Sequence, residues 1–184
     1  MAAEFTGAQI GDERAYVVRF TTDTAAGTAE IEMRVADQVA SIETSGTDSP
    51  SAVFAFRGDE VAALVDDAWD VEGGQQLEPV ADTLFVVAPD ITYAAAADVL
   101  VGASPAGRED LLGLASNRYD IEPVPATTAT DQLGWSDAQV SIWVSAEGLP
   151  LQGRAVTELG SATWSLVQLG GDVEPRVPPE WAPR

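Results

Sequence analysis

Apolar and polar residues alternate through most of the chain, which is the pattern of half-buried β-strands. The clearest case is residues 28–36, in which three apolar side chains alternate with three charged ones: Ile31, Met33 and Val35 with Glu30, Glu32 and Arg34. Residues 15–23 have a similar pattern, and the small residues 25–27 between the two segments predict a hairpin turn. We therefore predict an antiparallel pair with one face exposed to water.

Further strands are predicted on both sides of one interruption. Before the interruption the pattern predicts strands over residues 38–46, 51–58 and 60–72. After the interruption it predicts strands over residues 109–124, 136–146, 149–158 and 161–170. Successive strands with short connections indicate a meander. The proline-rich residues 171–184 are expected to run along an edge of the sheet.

One predicted strand carries large apolar side chains on both of its faces. In an extended segment, Trp143 lies on the face opposite Ile142 and Val144. Such a strand has either a second layer over each face or one face turned toward a ligand. The alternation by itself leaves both explanations open.

The interruption, residues 77–107, contains the best candidate for a helix. Asp90 stands in an N-cap position, an alanine-rich segment follows it, and Gly102 and Pro105 are stop signals. Apolar residues surround this helix almost completely, which is typical of a short helix buried against a sheet. The predicted fold is therefore α+β, a curved antiparallel sheet or half-barrel of about eight to eleven strands with short helices on its concave face.

The chain is expected to form a single domain. Its 184 residues, of which 46% are hydrophobic, can bury a sizeable core. We place a flexible segment at residues 1–14, the half-barrel at 15–174 and a proline-rich tail at 175–184. The first residues contain neither a basic stretch nor an apolar core, so no signal peptide is expected there.

The charge balance excludes several classes of function. The chain has 30 acidic and 9 basic residues, a formal net charge of -21, with no histidine, cysteine or lysine. Such a field repels phosphate backbones, so no nucleic-acid ligand is expected. The missing residue types exclude a Ser-His-Asp triad, a thiolate nucleophile, a Schiff base and a zinc site with the usual ligands.

Carboxylates remain as candidates for chemistry. Asp66, Asp67 and Asp70 form the densest acidic cluster, and paired carboxylates can hydrolyse glycosides or hold calcium. A chain this acidic produces such clusters by chance, and most of them are solvated. We therefore predict no catalytic residue, metal site or cofactor. A carboxylate-dependent hydrolase is the less favoured alternative, and exposure of all three aspartates would remove it.

Two stretches of the second half, residues 107–123 and 140–156, combine glycine turns with aromatic strand positions. Their characteristic residues are Gly107, Glu109, Gly113, Arg118, Tyr119, Trp143, Val144, Gly148, Leu149 and Pro150. With the order of strands, helical insertion and strands, they resemble the LolA-like lipoprotein-carrier superfamily, most of all its LppX/LprG branch of lipid-binding lipoproteins. We interpret these positions as structural, because they mark turns and sheet packing. Ser145 stands where an acidic residue is common in that branch.

The resemblance implies an extracytoplasmic protein of the cell envelope that takes a lipid or acyl chain into a cavity between its sheet and helices. The expected cavity residues are Val18, Phe20, Ile31, Met33, Val35, Ile42, Tyr93 and Leu100. The net charge favours a neutral or glycosylated lipid, unless Arg118 or Arg154 lies at the cavity mouth. Membrane anchoring would require a lipidated cysteine upstream of Ala2.

An alternative function is open on the same fold. An envelope-sensing module similar to RseB would use the half-barrel to bind a protein partner. A large exposed apolar patch on the convex face would favour that function over lipid transport.

Overall fold

The computed structural model describes residues 15–47, 51–58, 60–71, 100, 103–121 and 138–182. Within these ranges eleven strands form one antiparallel sheet. The strands are β1 (Ala15–Thr24), β2 (Gly27–Ala36), β3 (Val39–Gly46), β4 (Ala52–Arg57), β5 (Glu60–Val65), β6 (Ala68–Asp70), β7 (Gly107–Leu111), β8 (Leu114–Ile121), β9 (Gln139–Ser145), β10 (Pro150–Thr157) and β11 (Gly160–Leu169). The predicted segment at residues 1–14 lies outside the described residues.

The sheet consists of two meanders joined through the first and last strands. Strands β1 to β6 pair in sequence order, strands β7 to β11 do the same, and β1 pairs with β11. The joining pair is long, from Tyr16 opposite Leu169 to Thr24 opposite Gly160. The sheet is therefore open, with β6 at one edge and β7 at the other, and the predicted curved antiparallel sheet is confirmed.

Two segments predicted as single strands are hairpins. The predicted fifth strand contains both β5 and β6, and the predicted sixth contains most of β7 and β8. The turn residues Asp66 and Asp67 have φ of 50° and 62°, and Leu112 and Gly113 have φ of 55° and 73°. Two successive left-handed residues make a tight turn whose twist matches the flanking strands. The sequence prediction was wrong here because neither dipeptide has the usual Asn-Gly or Asp-Gly signature.

Alternate residues of each strand project from two different faces of the sheet. The apolar face carries the largest described cluster of buried hydrophobic side chains: Val18, Met33, Ala40, Ile42, Phe54, Phe56, Val61, Ala63, Leu151, Trp164 and Leu166. The opposite face, here called the tail face, carries smaller clusters that include Val17, Val39, Ala55 and Ala62. Both faces of the central strands are therefore buried, which matches strands with apolar residues on both sides.

The C-terminal residues cross the tail face. Val173 packs with Val17 of β1, and the backbone N–H of Arg176 donates a hydrogen bond to Ser41 Oγ of β3 at 3.0 Å. Because β3 is a central strand, the prediction that this segment runs along an edge was wrong. Proline cannot donate a hydrogen bond to an edge strand, but it can pack flat on a sheet face.

Trp181 anchors the end of this crossing segment. It lies in the 3-10 turn Pro179–Trp181 and packs against Ala55 of β4 and Ala62 of β5. The guanidinium carbon of Arg57 lies 4.8 Å from the centroid of the Trp181 ring, a cation–π distance. Residues 173–181 thus contact strands β1 to β5.

Helices are essentially absent from the described residues. Apart from the single helical residues Val71 and Leu100, these residues contain only the 3-10 turn, so short helices on the concave face are not confirmed. The predicted helix around residues 90–101 lies outside the described residues except for Leu100, whose carbonyl accepts a hydrogen bond from Ala103 N at 3.0 Å. Among the described residues no helix is long and apolar enough to span a membrane.

Candidate functional site

Six of the expected cavity residues lie together on the apolar face. Antiparallel register places Val18 opposite Met33, and Met33 opposite Ile42 on the next strand. Phe20 lies opposite Ile31 in the same way, and Val35 packs against the same cluster. The alternation in β1, β2 and β3 is what aligns these side chains. Their role as a ligand site stays a prediction, as does that of Leu100, and Tyr93 lies outside the described residues.

The apolar face changes in side-chain size from its middle to one end. The middle carries fully buried large side chains such as Ile42 and Trp164. At the end formed by the β1–β2 and β10–β11 turns, the same face carries small or hydroxyl-bearing residues: Thr22, Thr24, Ala155, Thr157, Gly160 and Ala162. These residues and Phe20 line a cavity of about 200 Å³. The face therefore has space for a ligand where its side chains are small.

Sequence analysis missed these small residues as site candidates. Alanine, threonine and glycine carry no chemical signature of a ligand site. Their alternation within β10 and β11 was nevertheless visible, because Ala155, Thr157 and Ala162 each stand two residues from a neighbour on the same face. Only the pairing of β1 with β11 brings the two ends of the chain together at this cavity.

The motif residues Glu109, Arg118 and Trp143 form one hydrogen-bonded cluster on the tail face. Trp143 Nε1 donates to Glu109 Oε2 at 2.9 Å, and Arg118 donates to Glu109 Oε1 at 3.2 Å. Arg118 also pairs with Asp120 at 3.3 Å, and Ser141 Oγ donates to Asp120 Oδ1 at 2.7 Å. The cluster links β7, β8 and β9, and Trp143, 9% exposed, lies on the face opposite Ile142 as the alternation predicted.

Most other motif residues belong to turns or strands. Gly113 and Gly148 have φ of 73° and 88°, a region that glycine occupies without strain. Pro150 is buried at the start of β10, and the N–H of Leu149 donates to Ser145 Oγ at 3.0 Å. A serine at 145 therefore caps this turn through its hydroxyl group.

Val144 is buried in β9, and two further motif residues lie at β7 and β8. Tyr119 is half-buried opposite Ile142, which places it on the apolar face. Gly107 has no positive φ, and a Cβ atom there would meet only Arg118, at 4.0 Å. The structure does not explain why this position is glycine.

A second charged cluster lies on the tail face between β1 and β2. Glu32 Oε2 accepts from Arg19 at 2.6 Å, and Oε1 accepts from Arg34 at 2.7 Å. Burial by itself would raise the pKa of Glu32, but the hydrogen bonds and charges of the two arginines outweigh it and hold the pKa below its ordinary value. The hydrogen bond to Glu32 raises the pKa of Arg19 despite partial desolvation. Glu32 is therefore a charged structural centre of this face.

Two arginines considered for the cavity mouth lie elsewhere. Arg118 and Arg154 line a groove on the tail face, whereas the 200 Å³ cavity opens on the apolar face. Among the described residues, none of the side chains that line the 200 Å³ cavity carries a positive charge, and its polar side chains are hydroxyl groups.

The acidic cluster is not a cleft. Asp66 and Asp67 form the β5–β6 turn, and Asp70 ends the edge strand β6; all three residues are exposed. Exposure of all three removes the basis on which a carboxylate-dependent hydrolase was considered.

The structure is similar to solved structures of mycobacterial lipoproteins. LprF from Mycobacterium bovis has a TM-score of 0.60 at 12% identity, over 94% of this chain and 92% of that chain. Lipoprotein LppX from Mycobacterium tuberculosis has a TM-score of 0.50 at 14% identity, over 89% of this chain and 90% of that chain. MucB in the MucA/MucB complex of Pseudomonas aeruginosa has a TM-score of 0.43 at 14% identity, over 92% of this chain and 56% of that chain.

The sequence matches no protein-family model and no curated protein. The structural likeness nevertheless extends over almost the whole chain of LprF and of LppX. The chain therefore has the fold of LprF and LppX, in agreement with the resemblance to the LppX/LprG branch seen in the sequence. At 12% and 14% identity this likeness concerns the fold.

Proposed function

We propose that the protein binds a lipid or a single acyl chain against the apolar face of its sheet, in an extracytoplasmic compartment. The observation that carries the proposal is the gradient of side-chain size on this face. Large buried residues such as Trp164 lead without a polar break to the cavity lined by Phe20, Ala155 and Ala162. The shared fold with the lipoprotein LppX supports the assignment to the cell envelope.

The size of the cavity suits part of an acyl chain. A cavity of about 150 Å³ lined by apolar side chains is enough to hold benzene, and the cavity here measures about 200 Å³. Each methylene group removed from water contributes roughly 0.8 kcal/mol, so six of them contribute about 5 kcal/mol before the cost of lost freedom.

The residues at the cavity favour a lipid with an uncharged headgroup. The hydroxyl groups on this face belong to Thr22, Thr24 and Thr157. Those of Thr24 and Thr157 already donate to the carbonyl oxygens of Gly27 and Gly160 in their turns, so the polar atoms at the cavity are uncharged. An anionic headgroup would meet the field of a chain with net charge -21 and no arginine among the described residues lining this cavity. A neutral ester, alcohol or glycosyl headgroup avoids this repulsion.

The test is to fill the cavity from its centre. Ala162 is half-buried and lies between Thr22 of β1 and Ala155 of β10. Ala162→Trp should reduce the lipid that native mass spectrometry recovers with the protein to less than about a third, while the melting temperature changes little, because a tryptophan there occupies space and suits a strand. Unchanged lipid recovery, or a starting protein without lipid after exposure to an envelope extract, would refute the proposal.

Two control variants separate cavity filling from damage to the fold. Thr163→Trp adds the same side chain one residue further on, on the opposite face, and should leave lipid recovery unchanged. Val18→Trp enlarges a fully buried side chain in the middle of the apolar face. If that part is packed core, the free energy of unfolding should fall by roughly 1 to 3 kcal/mol.

The sensing function has weaker support. A large exposed apolar patch on the convex face would have favoured it. The exposed large apolar residues of the described ranges instead belong to several strands and turns: Val65 on β5, Leu112 and Leu114 at the β7–β8 turn, Val156 and Leu159 at the β10–β11 hairpin, and Leu169 at the end of β11. A protein partner in the envelope and membrane anchoring through a lipidated cysteine are compatible with lipid binding. They are not needed for it.

A further inference from the structure

A polar groove lies on the tail face across β8, β9 and β10, away from the strands that the C-terminal segment crosses. It has a volume of about 630 Å³, and its polar and aromatic lining consists of Arg118, Asp120, Gln139, Ser141, Trp143 and Arg154. Register explains the grouping, because Asp120, Ser141 and Arg154 lie in one row across the three strands and Arg118 and Trp143 lie in the next row. This groove is separate from the cavity of the apolar face.

Much of the groove is held in place without a ligand. Asp120 accepts hydrogen bonds from Ser141 at 2.7 Å and pairs with Arg118 at 3.3 Å. Glu109, behind the groove, accepts from Arg118 at 3.2 Å and from Trp143 at 2.9 Å. Five side chains on three strands therefore form one connected network, so a ligand would order few of them on binding.

Two guanidinium groups leave hydrogen-bond donors unused. Arg154 is exposed and, like Arg108 outside the groove, has no ion pair within the described ranges, whereas Arg19, Arg34, Arg57, Arg118 and Arg176 are each paired with a carboxylate. The Nε of Arg118 is buried and has no hydrogen-bond partner. An unsatisfied buried donor is costly, but this Nε is not accessible to a ligand, so the accessible unused donors are those of Arg154. The groove therefore offers donors to a ligand that supplies acceptors.

The charge of the groove selects the class of ligand. The charged residues that line the groove are Arg118, Asp120 and Arg154; with Glu109, which binds Arg118 from outside the lining, the four charges cancel in a chain with net charge -21. An anion would be repelled by Asp120, and a purely apolar ligand would leave the polar lining desolvated. A ligand with many hydroxyl groups can accept from Arg154 and donate to Asp120 at the same time.

We infer that this groove binds a neutral oligosaccharide, a function distinct from lipid binding on the apolar face. The observations that lead to it are the neutral charge, the preformed network and the unpaired Arg154. A saccharide matches all three, because each of its hydroxyl groups is at once a donor and an acceptor.

An array that carries neutral and acidic oligosaccharides provides the first test. The protein should retain neutral members, and titration calorimetry with the best of them should give a dissociation constant that changes little between 0.05 and 0.5 M sodium chloride, since an uncharged ligand is not screened. Retention of no neutral oligosaccharide, or of acidic ones alone, would overturn the inference.

Paired arginine variants locate the site. Arg154→Ala should weaken binding about tenfold, the usual effect of losing a hydrogen bond to a charged group. Arg108→Ala makes the same change of charge at an exposed arginine of β7 outside the groove, and it should leave affinity within about twofold. Ser141→Ala tests the neutral part of the groove and should weaken binding as well. Equal effects of Arg154→Ala and Arg108→Ala would contradict the inference.

The same variants keep the two sites distinguishable. Arg154→Ala should leave lipid recovery unchanged, because Arg154 does not line the cavity of the apolar face. Ala162→Trp should leave oligosaccharide binding unchanged for the corresponding reason. If the protein binds lipid but no oligosaccharide, the inference about the groove fails; if it binds oligosaccharide but no lipid, the proposed function fails.

Discussion

The two faces of this sheet are built from the same strands by different means. On the apolar face, strands close in sequence bring Val18, Met33 and Ile42 into one row. On the tail face, a segment from the far end of the chain covers β1 to β5, with Trp181 as its anchor. Local alternation aligns the residues of β1, β2 and β3 on the apolar face, but both faces also depend on contacts distant in sequence: the pairing of β1 with β11 on the apolar face and the crossing segment on the tail face.

The faces also differ in how they treat polar groups. The apolar face ends in a cavity whose polar atoms are uncharged hydroxyl groups. The tail face carries the charged clusters centred on Glu32 and on Glu109, and a groove with two arginines. One sheet thus presents an apolar site and a polar site back to back, and substitutions on one face should leave the other unaffected.

The largest expected effect concerns the anchor of the tail face. Trp181→Ala removes a buried indole and its contact with Arg57, and it should lower the free energy of unfolding by about 3 kcal/mol in urea denaturation. Leu159→Ala, at a position 82% exposed, is the control and should change it by less than about 0.5 kcal/mol. Equal effects would show that the crossing segment does not stabilise the sheet.

A smaller effect is expected where the crossing segment meets β3. Ser41→Ala leaves the N–H of Arg176 without its acceptor and should cost about 1 kcal/mol in the same measurement. Ser45→Ala changes an exposed serine of the same strand and should cost little. If Ser41→Ala leaves the free energy of unfolding unchanged, water replaces the hydroxyl group and this contact contributes no stability to the tail face.

The charged cluster of the tail face should show a dependence on pH that the apolar face lacks. Because the folded-state pKa of Glu32 is lowered, its pairing contributes fully above the ordinary carboxyl value of 4.5 and is lost as pH falls through the lower folded value. Glu32→Gln should therefore lower the melting temperature at pH 7, and this difference from the wild type should shrink below pH 4.5. A difference that is constant with pH would show that the charge of Glu32 is not involved.

The smallest expected effect comes from salt. Screening relieves the mutual repulsion of a chain with net charge -21, but it also weakens the arginine pairs of the tail face. We expect repulsion to dominate, so the melting temperature should rise by about 2 °C between 0.05 and 1 M sodium chloride. A fall would show that the ion pairs of the tail face outweigh the repulsion.

The candidate sites were predictable to different degrees. That the six apolar residues of β1, β2 and β3 share one face was predicted from alternation, because period 2 assigns a face to each residue of a strand; of the six, Phe20 lines the cavity of the apolar face. The groove lined by Arg118 and Arg154 was not identified, because its rows join strands β8, β9 and β10 through a register that no single segment encodes. The resemblance to LolA-like carriers identified Glu109 and Trp143 but not the hydrogen bond between them.

Residue types and their alternation predicted the antiparallel sheet, most of its strands, the sharing of one face by Val18, Met33 and Ile42, and the absence of histidine, cysteine and lysine chemistry. These features are local, since they depend on residue types and on a period of two. Only the tertiary structure decided that β1 pairs with β11, that residues 173–181 cross the tail face, and that the Asp66–Asp67 and Leu112–Gly113 turns divide two apparent strands. Such features depend on which distant segments meet, and the energy of packing that selects them is shared among residues far apart in the chain.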